Sequence, residues 1–322
     1  MNPLMSRALG IGLGVLADSF IPDPATHHPV AWFGSAASGI ETITYRDSRD
    51  AGGIHVAICV VPVAMAGWLV ERYTALRWWL HLGATALTTW AVVGISGLAR
   101  EGLTMASFLD NDDLASARAQ LSHLCGRDPD HLDHVELARA TVESVAENTA
   151  DAGIASVMWA ALAGIPGLVT HRCINTLDAM IGHKNTRYLR FGTVAATLDD
   201  WLDWIPARTT GVLFSLLAPV VHGSSDRAWQ ITMRDHAKHP SPNGGWCESA
   251  MAGALGVQLG GTNIYYGNRI EHRGRLGDGS LPKAGDARRS VNLSRWAMAI
   301  ATAGTIAGLG IVAGLTRLTK SR

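Results

Sequence analysis

The run Arg139-Ala-Thr-Val-Glu143-Ser-Val-Ala-Glu147-Asn148-Thr-Ala-Asp151 holds three acids at intervals of four. The run contains neither Pro nor Gly, and Glu136-Leu-Ala-Arg-Ala before it is good helix-forming sequence. On a helix, residues four apart stack on one face. Glu143, Glu147 and Asp151 then line up, with Arg139 one turn before them and Asn148 alongside. Like charges on one face repel unless a positive charge sits among them. The face is either solvated or holds a cation, and spacing alone leaves both open.

Other chemistry-bearing residues fall in polar stretches. Residues 18–30 contain three prolines with Asp23, His27 and His28, which forbids a regular helix and suits either a solvated turn or a rigid site loop. Arg46 and Arg49 in Tyr45-Arg-Asp-Ser-Arg-Asp50 form an anion-binding pair or a solvated helix end. Asn175 and Asp178 stand three apart, and Arg172, Lys184, Arg187 and Arg190 supply four cations within 19 residues. Those cations suit a phosphate-binding surface or a loop obeying the positive-inside rule. Asp199, Asp200 and Arg208 precede another apolar run, and a Gly-rich stretch beyond His222 carries His239 and Asn243. Its glycines could cradle phosphate, but their spacing fits neither a Walker nor a dinucleotide-binding motif.

The elements that must position these residues are apolar. The 322 residues are 48% apolar and only 17% charged, with zero formal net charge and eleven Trp. A neutral chain has no global field for nucleic acid, and Trp favours membrane interfaces. Membrane segments are expected at 4–21, 54–70, 78–98 and 296–315, the middle two as a helical hairpin. The first lacks a small-x-small cleavage site and reads as uncleaved. The run 152–170 is interrupted by Gly164-Ile-Pro166-Gly167, which points to a kinked or re-entrant helix, and 207–222 is short for a span. The four cysteines are widely spaced and read as reduced, packing thiols. The fold class expected is all-α, a polytopic membrane protein with long polar loops.

Charges close to apolar segments are costly and usually functional. Two classes remain: a membrane enzyme handling an anionic, phosphorylated substrate with a divalent metal, and a transporter with a cation-coupled carboxylate site. The spans at 54–70 and 78–98 lack acids, which favours the enzyme.

Several motifs in order, namely Glu143-Ser-Val-Ala-Glu147-Asn148-Thr-Ala-Asp151, Asn175-Thr-Leu-Asp178, Leu198-Asp199-Asp200, Trp204-Ile-Pro206-Ala-Arg208 and His239-Pro-Ser-Pro-Asn243, resemble the adenosylcobinamide-phosphate synthase family of cobalamin biosynthesis. The resemblance covers about residues 10–315. It implies one membrane-embedded synthase domain over 1–322, in the inner membrane with its active site toward the cytoplasm. The implied reaction joins adenosylcobyric acid to (R)-1-amino-2-propanol or its O-phosphate, with ATP and Mg²⁺. Under that resemblance, Glu143, Glu147 and Asp151 would hold Mg²⁺. Arg46, Arg172, Asn175, Asp178, Lys184, Arg187, Arg208 and Asn243 would hold substrate or phosphate. Asp199, Asp200 and either His28 or His239, as base for the amine, would be catalytic. Both 143–151 and 171–206 should then face ATP, so 152–170 and 207–222 are not expected to be separate simple spans that export 171–206.

Overall fold

The computed structural model describes residues 1–21, 28–130, 132–265 and 269–320. The early motif residues Asp23, Pro24 and His27, and also His131, lie outside them. In chain order the helices are α1 (Pro3–Phe20), α2 (Pro29–Thr44), α3 (Arg49–Thr74), α4 (Trp78–Val92), α5 (Ile95–Asp110), α6 (Leu114–Leu121), α7 (His134–Asn148), α8 (Ala155–Ile181), α9 (Thr193–Leu202), α10 (Trp204–Leu216), α11 (Ser225–Asp235), α12 (Gly244–Leu255) and α13 (Ala284–Lys320). Between α12 and α13 lies an antiparallel hairpin, β1 (Leu259–Tyr265) and β2 (Arg269–Leu276). The hairpin is the departure from the expected all-α class. Its first strand carries two positive-φ glycines, Gly260 and Gly261, and a register shift there bends the ladder.

Among the described residues, four helical stretches are long and apolar enough to cross a membrane: Arg49–Thr74, Trp78–Asp110, His134–Ile181 and Ala284–Thr316. They take in the expected segments at 54–70, 78–98, 152–170 and 296–315. The expected segments 4–21 and 207–222 fall on α1 and α10, which are not among the four. Large apolar side chains point outward from α3 (Ile54, Ile58, Val61, Met65 and Trp68) and from α13 (Ile300, Ile311 and Leu315). Such continuous apolar faces suit lipid. These features fit a helical membrane protein.

The chain divides into two compact units. The first comprises Met1–Gly94, Ala152–Asp203 and Ile300–Arg322; the second comprises Ile95–Asp151 and Trp204–Ala299.

In the first unit α1 lies against α4. A Cβ on Gly10 would fall 2.7 Å from Thr85 Cβ, and one on Gly14 would fall 2.5 Å from Thr89 Cβ. Small residues four apart allow this close backbone approach, the usual device where both helices are apolar. α8 is broken as its Gly-Ile-Pro-Gly sequence suggests: Gly164 adopts φ 68° and ψ −154°, and Pro166 follows. The break frees backbone groups, and two buried charges take them up. Arg7 Nη1 donates to the Ala161 carbonyl (3.1 Å), and Glu71 Oε2 accepts the Ile165 N–H (3.1 Å). Glu71 Oε1 also accepts from Arg7 Nη2 (2.6 Å) and contacts His81 Nε2 (3.0 Å), whose Nδ1 pairs with Ser6 Oγ (2.8 Å). Phe191, fully buried, centres the core where α3, α8 and α9 meet.

In the second unit Asp113 caps α6, as its Asp-rich approach suggests, and Asp133 with Glu136 forms a capping box for α7. Met105, Leu121 and Leu137 form the core between α5, α6 and α7.

Candidate functional site

The acid helix begins as the sequence indicates and then changes pitch. α7 is regular to Asn148, and Thr149–Ile154 is a π-helical turn. Asp151 lies within that π-turn. Glu143 is occupied. Its Oε2 pairs with Arg127 Nη2, its Oε1 accepts the Gly260 N–H (2.7 Å), and Arg139 Nη1 stands 3.6 Å away. Arg139 in turn donates to the Gly260 carbonyl (2.6 Å), Asn263 Oδ1 (2.9 Å) and the Thr262 carbonyl (3.1 Å). Gly260 of β1 is therefore held at both its N–H and its C=O, which belong to successive peptide units. Among the described residues, no three His, Cys, Asp or Glu side chains form a set that could hold a metal ion. Among the described residues, Glu143, Glu147 and Asp151 are not gathered into such a set.

Glu147 meets a different acid. Its electrostatic neighbours are Glu248, His239, Arg273 and Arg127. Glu248, on α12, is completely buried, with His239 Nε2 at 3.3 Å and Arg273 Nη1 at 3.5 Å. Neither Glu248 oxygen accepts a hydrogen bond. Burial alone would raise its pKa, but His239 and Arg273 outweigh burial and hold it below the usual carboxylate range. Burial would lower the His239 pKa, and Glu248 reverses that and raises it. The Ser241 N–H donates to Nδ1 (3.0 Å), and Nε2 lies 3.0 Å from Arg273 Nη1 and 3.3 Å from Glu248 Oε1. Arg273 also pairs with Glu271 (2.9 Å). Glu143, Glu147, Glu248 and Glu271 thus stand among Arg127, Arg139 and Arg273, with His239 beside Glu248. Mg²⁺ is commonly held by one or two carboxylates plus substrate phosphates, and Glu147 with the donor-free Glu248 fits that mode.

Two of the expected phosphate ligands are committed to structure. Arg208 donates to the Trp204 carbonyl (2.8 Å) and Asn243 Oδ1 (2.9 Å) and lies over the Trp204 ring (4.2 Å). It ties α10 to the loop before α12. Arg187 is bonded to Glu41 Oε1 (2.9 Å) and stacks on Tyr45 (4.1 Å). His28 caps α2, its Nδ1 accepting the Val30 N–H (3.3 Å). Arg46 is exposed between α2 and α3.

The first unit gathers the remaining residues. α8 presents His171, Asn175 and Asp178 at helical spacing, and α9 presents Asp199 with Asp203 at its end. The two helices meet in rungs. His171 Nε2 lies 2.8 Å from Asp203 Oδ1, and Asn175 Nδ2 donates to Asp199 Oδ1 (3.3 Å). Arg172 Nη1 reaches Asn175 Oδ1 at 3.5 Å. Burial, then the Asp203 and Asp178 carboxylates, push Asp199 well above the usual range. Burial raises Asp200 against the opposing charge of Lys184. Beside the first rung is a cavity of about 260 Å³, lined by Trp159, Ala163, Pro166, Gly167, Thr170, His171 and Leu202. The expected substrate set is thus divided between units, with Arg172, Asn175, Asp178, Lys184, Asp199 and Asp200 in the first and Arg208 and Asn243 in the second. His171, Asp203, Glu248, Arg273 and Arg127 were not singled out from the sequence. His171 and Asp203 carried a signal, standing four residues from Asn175 and Asp199 on the same helical faces.

Comparison with known proteins agrees with this arrangement of motifs. The CobD/Cbib protein family model matches residues 11–294. A protein of Mycobacterium tuberculosis named cobalamin biosynthesis protein CobD is 48% identical over 299 residues, covering 90% of this chain and 92% of its own length. Proteins of the same name from Pelobacter propionicus (37% identical; 94% of this chain, 97% of that protein) and Rhodobacter capsulatus (37%; 89% and 88%) also match. No solved structure matches the chain. With the family model spanning most of the sequence and full-length relatives at this identity, the chain belongs to the CobD/Cbib family.

Proposed function

We propose that this protein acts in cobalamin biosynthesis as a ligase, joining a propionate of adenosylcobyric acid to (R)-1-amino-2-propanol or its O-phosphate through an amide bond, with ATP as co-substrate. Family membership and the names of the relatives support the pathway. The observation that carries the chemical reading is Glu248, a completely buried carboxylate with no hydrogen-bond donor on either oxygen, among Glu147, His239 and Arg273.

A carboxylate does not accept an amine at neutral pH without activation. Phosphorylation of the propionate by ATP, then amine attack on the acyl phosphate, meets that need. Mg²⁺, when bound, would screen phosphate charge. Glu147 and Glu248 would supply its carboxylates. Arg273 is a fixed positive charge of the kind that stabilises developing negative charge without reorganising. ATP access places the reaction on the cytoplasmic side of the inner membrane in this reading. The transporter reading gains no support from the family.

Purified full-length protein with adenosylcobyric acid, ATP, Mg²⁺ and either amine tests the proposal. Wild type should form the amide only with Mg·ATP, and Glu147→Gln should lose that activity while still inserting. Unchanged turnover in Glu147→Gln would sink the assigned role. Solute accumulation in vesicles without ligation would favour transport.

A further inference from the structure

Two of the apolar stretches end together in the first unit. Arg49–Thr74 begins at Arg49, and His134–Ile181 finishes at Ile181. Ala51, Ile181 and Phe191 share one buried core, and a Cβ on Gly52 would strike the Phe191 carbonyl. The first turn of α3 and the last turn of α8 therefore lie side by side. Residues 45–48 and 182–192 continue from those ends and stand where the two stretches would leave the hydrocarbon.

The second of these segments is cationic and held in place. Residues 182–192 include Lys184, Arg187 and Arg190 and no acid. Glu41, buried near the end of α2, accepts from Arg187 Nε (3.2 Å) and Tyr188 Oη (3.1 Å). Tyr45 Oη donates to the Arg187 carbonyl (3.0 Å), and Asn185 Oδ1 accepts the Tyr188 N–H (2.8 Å). Arg187 thus fixes the loop, while Lys184 and Arg190 are exposed, as are Arg46 and Arg49. Arg190 reaches Asp47 only at 4.0 Å. Over 41–50 and 182–192, five Arg and Lys stand against Glu41, Asp47 and Asp50, and Asp200 lies opposite Lys184. Apolar side chains are interleaved with them: Ile43 is 84% exposed and Leu189 63%.

Exposed cations with apolar side chains among them suit the boundary between headgroups and acyl chains, where the charges reach phosphate and the carbons stay below. A soluble phosphate ligand calls for a concave site, and the cavity beside His171 is lined by none of these residues. We propose that this end of the first unit binds anionic phospholipid, with Arg46, Arg49, Lys184 and Arg190 at the headgroup phosphates and Ile43 and Leu189 in the acyl boundary. Arg46 and Lys184, expected from the sequence to hold substrate phosphate, would then hold lipid phosphate.

The test places the full chain in phosphatidylcholine nanodiscs with a trace of photoactivatable phosphatidylglycerol or, separately, of phosphatidylcholine carrying the same group. Labelled peptides are mapped by mass spectrometry. Phosphatidylglycerol should label 41–49 and 182–192 at least about fivefold more than phosphatidylcholine, the effect of about one Arg or Lys against anionic lipid. Around Ala303 and Ala307, on an exposed part of α13 with no Arg or Lys between 296 and 316, the two lipids should label equally, which also reports insertion. The triple variant Arg46→Gln, Lys184→Gln, Arg190→Gln should bring the ratio within about twofold of unity, and raising salt from about 0.05 to about 1 M should shrink it in the wild type. Equal labelling by both lipids in the wild type, or a ratio that the triple variant leaves unchanged, overturns the proposal. If the triple variant loses its α13 labelling, Arg190→Glu alone decides: it leaves the Glu41 clamp in place and should cut the ratio by about half or more, and an unchanged ratio overturns the proposal. Inorganic phosphate added at constant ionic strength should leave the wild-type ratio within about twofold. Collapse of the ratio there would assign the surface to a soluble phosphate ligand and overturn the lipid.

Discussion

Glu71 Oε2 accepts the backbone N–H of Ile165 at 3.1 Å, one residue beyond the break in α8. A side chain from α3 thereby replaces the helical acceptor that the Gly164 conformation removes. Arg7 does the reciprocal service for the Ala161 carbonyl while neutralising Glu71. Removing one partner of such a pair leaves an uncompensated buried charge, at a cost of about 3–5 kcal/mol. Glu71→Ala should lower thermal stability by that order in a detergent melt, and Arg7→Met in the same background should recover part of it. Equal melting of wild type and Glu71→Ala would contradict this role.

Gly14→Leu should separate α1 from α4, because a Cβ there would stand 2.5 Å from Thr89 Cβ and 2.6 Å from the Ala86 carbonyl. Overpacking of this kind costs about 1–3 kcal/mol or more. A cysteine pair engineered across the two helices should crosslink readily in the parent and poorly in the Leu variant.

The Glu143 and Glu147 substitutions should part company. Glu143→Gln loses a charge-assisted grip on Gly260 and should speed amide hydrogen exchange across β1 and β2, leaving the Mg²⁺ concentration for half-maximal activity unchanged. Glu147→Gln should abolish amide formation and leave hairpin exchange alone. Identical behaviour of the two variants would mean that the acids act as one set.

Asp235 is completely buried and accepts bonds from Arg234 (2.7 Å), Lys238 (2.5 Å) and the Gly277 N–H (2.8 Å). Burial would raise its pKa, but these bonds prevail and hold it far below the usual carboxylate range. A depressed folded pKa gives stability that is present above the unfolded value of about 3.9 and lost as pH falls through the folded one. Stability of the wild type relative to Asp235→Asn should therefore be constant near neutrality, at about 1.5–3 kcal/mol, and shrink below about pH 4. Urea melts at pH 3 and pH 7 read the difference. A gap that widened at pH 3 would reverse the assignment.

The legible parts of the molecule were those set by local rules. Gly164-Ile-Pro166-Gly167 announced the broken helix, and the apolar run at 54–70 announced α3, because φ freedom, a missing N–H and hydrophobicity act within a few residues. Asp113 was readable as a cap for the same reason. Glu143 and Glu147 were found, but their partners were not. Arg127 lies 16 positions from Glu143 and Gly260 lies 117, and no spacing rule reaches so far. The turn at Thr149–Ile154 was not legible, because a π-turn gives no sequence signal comparable to that of Gly or Pro. Glu248 sits in a Gly- and Ala-rich run that reads as plain packing, and its burial beside His239 arises only when α12 folds against α7. The hairpin was missed because Gly260, Gly261 and Gly274 obscure strand alternation in a polar stretch.

The Arg7–Glu71 pair also bears on how the chain enters a bilayer. The two residues are 64 positions apart, so at about 5–20 residues per second Arg7 is synthesised roughly 3–13 s before its counter-ion. During that interval the guanidinium near the N-terminal end of α1 lacks its counter-ion, which makes burying it costly. α3 bears the stronger apolar signal and can commit first. Biogenesis would then run against chain order, with α1 reaching its final place only once Glu71 has arrived to receive it.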